Sequence, residues 1–147
     1  MTDRVSAGGT YTLVVSLPEA TTIAVGALGD VAFPAGGYAY TGSALGSGGF
    51  ARVDRHRELA AGERETRHWH VDYLLGHHAT AIEDVVRTAG RDVECAVANR
   101  LGDGPAPGFG ASDCGCSSHL ARRESVEAIR ADVEDAHAEA TEVETEP

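Results

Sequence analysis

Hydrophobic and polar positions divide the chain into a β-rich first half and a mixed second half. Residues 9 to 17, GTYTLVVSL, crowd β-branched and aromatic residues between Gly9 and Pro18 and predict a strand. TTIAVGAL and DVAF flank Gly29-Asp30 and predict a hairpin, and GYAYTGSA predicts a further strand, so the first half reads as a β meander. Gly46-Ser47-Gly48-Gly49 ends that pattern. The following FARVDRHRELAAG puts Phe50, Val53 and Leu59 on one helical face and arginines on the other. Residues 68 to 75, HWHVDYLL, fit a short helix or a strand equally well. TAIEDVVRTA predicts a strand, and DVECAVANRL carries Val93, Val97 and Leu101 at helical spacing with Asp92 as N-cap. GDGPAPGFGASD is a Gly- and Pro-rich loop. Val126, Ile129 and Val133 recur at helical spacing and predict a helix over 123 to 139 that fades into ATEVETEP. The expected fold is α+β: a small antiparallel sheet flanked by helices, with an extra hairpin and an acidic C-terminal helix and tail.

Length and charge refine this picture. A chain of 147 residues supports one core, expected over 8 to 122, with 123 to 147 as an acidic helix and disordered tail. Glu124 onward holds nine acids and one arginine, so most of the net charge of −11 sits there and the expected helix is a solvated one. All 12 basic residues are arginine, against 23 acids, a composition that resembles proteins of extreme halophiles. In molar salt the Debye length is about 3 Å, so an acidic balance says little against a nucleic-acid partner. The start MTDRVSAGGTYTLVV lacks a leader pattern and no stretch has the apolar length of a membrane span. A soluble, cytoplasmic protein without membrane partners is therefore expected.

The glycine cluster from 42 to 49 is followed by no Gly-Lys-Ser/Thr and does not match the dinucleotide fingerprint. The start of the helix that follows can still hold a backbone phosphate of a polynucleotide. Gly9-Thr10-Tyr11, Tyr40-Thr41-Gly42 and the helical Arg52-Val53-x-x-His56 together resemble the GIY-YIG nuclease superfamily. GGYAYTGSA, RHRE, HWHVDYLL, EC and SDCGCSSHL, in that order, resemble more specifically a GIY-YIG-related family, domain of unknown function one hundred and twenty-three.

The resemblance implies a metal-dependent endonuclease acting on nucleic acid, DNA first, in repair or processing. Phosphodiester hydrolysis needs an activated water, a cation near the non-bridging oxygens and stabilisation of the leaving oxygen. By the resemblance, Arg52 contacts the scissile phosphate, Glu94 holds one Mg²⁺ or Mn²⁺, Tyr11 and Tyr40 serve the attacking water, and His56 carries a proton or contacts phosphate. Gly42, Ser43, Arg55 and His70 are the candidate substrate contacts. Thr10 and Thr41 stand where the superfamily has apolar residues, and the interval between Tyr11 and Tyr40 is long, which leaves room for the extra hairpin.

Each candidate also has a structural alternative. Tyr11, Tyr38 and Tyr40 are ordinary strand residues, Arg52 an ordinary solvated side chain, and Glu94 an acid in a first helical turn. His56 alternatively ends a polar helix face. Cys95, Cys114, Cys116 and His119 are of the types that hold zinc, the alternative being small buried thiols. Two further functional classes stay open: a nucleic-acid-binding module that keeps the fold without cutting, and a zinc-stabilised interaction domain.

Overall fold

The computed structural model describes residues 9–26, 29–43, 51–62, 70–77, 79–89, 93–101 and 119–145. Among these residues the strands are β1 (Gly9–Leu17), β2 (Thr21–Ala24), β3 (Asp30–Phe33), β4 (Gly36–Ser43), β5 (Ala81–Ala89) and β6 (Leu120–Arg123). The helices among them are α1 (Ala51–Ala60), α2 (His70–Leu75), α3 (Glu94–Leu101) and α4 (Val126–Thr145). The main sheet is antiparallel in the order β5-β1-β4-β6, and β2 and β3 pair with each other as a separate two-stranded sheet. The α+β class and the extra hairpin are as expected. The first half is not a simple meander, because β1 pairs directly with β4 and the hairpin leaves the sheet between them.

Central β1 is buried at every residue except the half-buried Ser16, since both of its faces are covered. Alternation sends Tyr11, Leu13, Val15 and Leu17 into one core and Thr10, Thr12 and Val14 toward the other. The first core is closed by Val53 and Leu59 of α1, by Val71, Leu74 and Leu75 of α2, and by Ile23 and Phe33 of the hairpin. On the second face Val97 and Leu101 of α3 and Ile129, Val133, Ala136 and Ala140 of α4 pack on Val14, Ala39 and Ala121. The result is three layers, with the sheet in the middle.

Three local outcomes differ from the pattern reading or decide between its alternatives. The HVDYLL part of the HWHVDYLL segment is a helix, α2, because Val71, Leu74 and Leu75 fall at i, i+3 and i+4 and are all buried. Strand β6, LARR, was not expected: it has no β-branched residue, and its pairing with β4 specifies it. The C-terminal helix runs to Thr145 and is a layer of the core rather than a solvated appendage. Gly37 lets it come close, since a Cβ there would lie 2.7 Å from the Ser125 carbonyl oxygen and 2.8 Å from the Ile129 side chain. No helix among the described residues is long and apolar enough to cross a membrane.

Candidate active site at one end of the sheet

Helix α1 turns Val53, His56 and Leu59, three residues apart, onto the sheet. His56 is therefore buried among aromatic rings, whereas Arg57 on the same helix is exposed. The Tyr11 hydroxyl is hydrogen-bonded to His56 Nε2 at 2.7 Å, and the Tyr40 ring meets the same imidazole edge-on at 6.1 Å between centroids. Gly42 lies opposite Tyr11 in the β1–β4 register, and a Cβ there would stand 2.6 Å from the phenol oxygen. The absence of a side chain at Gly42 makes the space the phenol occupies. Tyr11, Tyr40, Gly42 and His56, taken from three separate stretches of sequence, are thus assembled in one place.

Arg52 stands in the first turn of α1, one helical turn before His56. Its side chain lies outside the described residues, as do those of Ser43, His70 and Cys95. Arg55 donates to Asp72 from both terminal guanidinium nitrogens, each at 3.0 Å. Asp72 is fully buried and Arg55 is largely so. A carboxylate removed from water needs such a partner, so this fork fastens α1 to α2. Tyr38, the third tyrosine of the region, donates to the Pro34 carbonyl, and burial pushes its pKa up to about 12 against the pull of Arg122. It is a structural phenol.

Glu94 arrives from the other layer. Val93 caps α3, its carbonyl accepting the amide of Val97 at 2.9 Å, and its own amide donates to Thr10 Oγ1 at 2.9 Å. Asp92, the expected cap, lies outside the described residues. Glu94 Oε2 is 3.2 Å from His119 Nδ1, an ion-pair distance, with the carboxylate 21% and the imidazole 3% exposed. The backbone of His119 is fixed by the Thr41 amide, which donates to its carbonyl at 3.0 Å. Strand register places both pairs, Tyr11 with His56 and Glu94 with His119, at the same end of the sheet, approached from opposite faces.

His119 is accordingly beside a carboxylate. Cys114, Cys116 and the glycine cluster 46–49 lie outside the described residues, so the zinc set is not visible as a whole. Among the described residues no group of three or more His, Cys, Asp or Glu converges on a point. Glu94, partly exposed and with one oxygen beside His119, suits a hard cation that keeps most of its water rather than a closed cage.

Sequence reasoning missed a second polar cluster. His137 of α4 bonds Thr12 Oγ1 through Nε2 at 2.8 Å and Thr88 Oγ1 through Nδ1 at 2.7 Å, and Thr12 bonds Thr41 at 3.0 Å. Strand alternation was the available signal, because it sets Thr10, Thr12 and Thr41 on the face opposite Tyr11 and Tyr40.

Fold and site together define a three-layer α+β domain with a tyrosine–histidine pair and a glutamate–histidine pair at one sheet end. The chain belongs to the family described as "Domain of unknown function DUF123", whose model matches residues 10–142. That span takes in all the candidate residues and most of α4. No curated protein and no solved structure matches the chain.

Proposed function

We propose that the protein is a metal-dependent endonuclease of the GIY-YIG type, hydrolysing phosphodiester bonds in nucleic acid, with DNA as the first substrate to try. The observation that carries this reading is the meeting of one tyrosine from each motif, Tyr11 and Tyr40, on the imidazole of His56. A phenol with an ordinary pKa of about 10 is a poor base at neutral pH. The short bond to His56 gives its proton a destination, so Tyr11 accepts a proton from the attacking water as His56 takes the phenolic one. Arg52, on the same helix, supplies positive charge to the phosphate. Glu94 is the residue that would hold Mg²⁺ or Mn²⁺, which when bound polarises the phosphate and acidifies water. Because the two pairs approach one sheet end from opposite faces, the substrate strand crosses that end near Gly42 and Ser43.

The burial of Tyr11 and His56, 1% and 0% exposed, favours a second reading, in which the pair is packing and the domain binds nucleic acid without cutting it. Branched, flapped and single-stranded DNA and RNA, incubated in high KCl with Mn²⁺ or Mg²⁺, separate the two. Metal-dependent cutting that is lost in Arg52→Ala and Glu94→Gln establishes the nuclease and its substrate class. Binding without cutting, unchanged in both variants, moves the assignment to the non-catalytic module.

A further inference from the structure

We propose that Thr10 is a positioning residue for Glu94, acting through the first turn of α3; this rests on the reading of Glu94 as the carboxylate of the site. Thr10 precedes Tyr11 on β1, so its side chain leaves the strand on the opposite face. It is fully buried, and its hydroxyl oxygen accepts the Val93 amide at 2.9 Å, across 83 positions of sequence. Val93 is the residue directly before Glu94 and its carbonyl receives the first bond of the helix. The tether therefore acts at the one end of α3 where the carboxylate stands, while Val97 and Leu101 anchor the helix further along.

The neighbouring strand holds the carboxylate's partner through its main chain, since the Thr41 amide donates to the carbonyl of His119. Thr10 thus fastens, through its side chain on the underside of the sheet, the residue before Glu94, while the main chain at Thr41 holds that of His119, the residue Glu94 faces. The strands that present Tyr11 and Tyr40 on one face set the position of Glu94 from the other. A valine at position 10 keeps the shape of threonine but leaves the buried Val93 N–H without this acceptor, a cost the helix end relieves by shifting.

The test compares Thr10→Val and Thr10→Ser with wild type, and uses Thr12→Val as a control that removes a buried hydroxyl from the same strand face without touching α3. Mn²⁺ binding, read by electron paramagnetic resonance without nucleic acid, is expected to weaken about 10- to 100-fold in Thr10→Val. Thr10→Ser and Thr12→Val are expected to bind as wild type does. Equal weakening in Thr12→Val, or none in Thr10→Val, overturns the proposal. A second readout needs no metal: the His119 ring resonances should shift in Glu94→Gln, and Thr10→Val should reproduce that shift while Thr10→Ser does not. Unchanged His119 resonances in Thr10→Val overturn the positioning role. A reproduced shift in a protein that binds no Mn²⁺ and cuts nothing keeps that role and removes the nuclease reading instead. If Thr10→Val does not fold, Thr10→Ala is put through the same two measurements.

Discussion

Tyr11 and Thr12 are neighbours on one strand, and each holds a histidine from a helix on its own side of the sheet. Tyr11 binds His56 of α1 at 2.7 Å, and Thr12 binds His137 of α4 at 2.8 Å. Both imidazoles are buried, at 0% and 4% exposure. Their surroundings differ. His137 is bonded at each ring nitrogen to a threonine hydroxyl, so it links β1, β5 and α4. Burial pushes its pKa down to about 4, which keeps it neutral at ordinary pH. His56 instead meets a phenol and a second aromatic ring beside a glycine, on the helix that carries Arg52. Burial and a short hydrogen bond are common to both histidines, so neither feature identifies a site. The partner's chemistry makes the distinction on which the proposed function rests.

The comparison breaks most sharply on rate. Tyr11→Phe removes one oxygen and keeps the ring, and is expected to lower kcat for nucleic-acid cleavage about 100- to 10,000-fold, as loss of a positioned proton carrier does. Thr12→Val is expected to leave kcat unchanged when assayed well below its melting temperature. Equal rates for wild type and Tyr11→Phe would reduce His56 to the same packing role as His137.

Stability should show the opposite order. His137→Ala opens a cavity and takes a partner from the Thr12 and Thr88 hydroxyls, at an expected cost of about 2–4 kcal/mol in denaturant unfolding. The same group gives a pH dependence of definite sign. The folded pKa is about 4 against an ordinary 6.5, so the unfolded chain binds the proton more readily. Its contribution is complete above pH 6.5 and is lost as pH falls toward 4. With roughly 1.4 kcal/mol for each pH unit between those two values, the loss amounts to about 3 kcal/mol. His137→Gln should flatten that part of the stability profile. A profile as steep as wild type would mean that other groups carry the acid sensitivity.

Elements with unambiguous hydropathy were legible in the sequence. GTYTLVVSL could be read as a strand because covering both faces gives a nearly unbroken run of β-formers. The Tyr11, Tyr40, Gly42 and His56 cluster was legible through its resemblance to a known motif rather than through periodicity. The second face was legible only in part: the Val93, Val97, Leu101 and Val126, Ile129, Val133 stripes predicted its helices, but not that the last one is a layer of the core. Its strands present Thr10, Thr12, Thr41 and Ala39, and its helix answers with Ala136, His137 and Ala140, all of which weigh little or count as polar in hydropathy. The bond that joins them spans 125 positions, and its two ends look unrelated when read locally. The acidic composition of the last helix compounded this, because exposed glutamates dominate its average while a narrow stripe of Ile129, Val133, Ala136 and Ala140 does the packing. Strand β6 was missed because two of its four residues are arginines whose role depends on neighbours: Arg123 binds Asp132 at 2.7 Å and the Leu101 carbonyl at 3.1 Å.

The smallest effect concerns the charges that join α3 to α4 at their outer edges. Arg100 meets Glu139 at 2.5 Å, yet the two side chains are 40% and 55% exposed, so water and salt screen the pair. Arg100→Ala is expected to change unfolding free energy by less than about 0.5 kcal/mol at low salt and by nothing measurable in molar KCl. The outcome bears on how the second face is held. If α4 is fixed by His137 and the apolar stripe, removing an outer ion pair leaves its docking intact and the loss vanishes with salt. A loss as large as that of His137→Ala, persisting in molar KCl, would mean that the interhelical edge holds the helix in place. The buried threonine–histidine network would then be a consequence of docking rather than its cause.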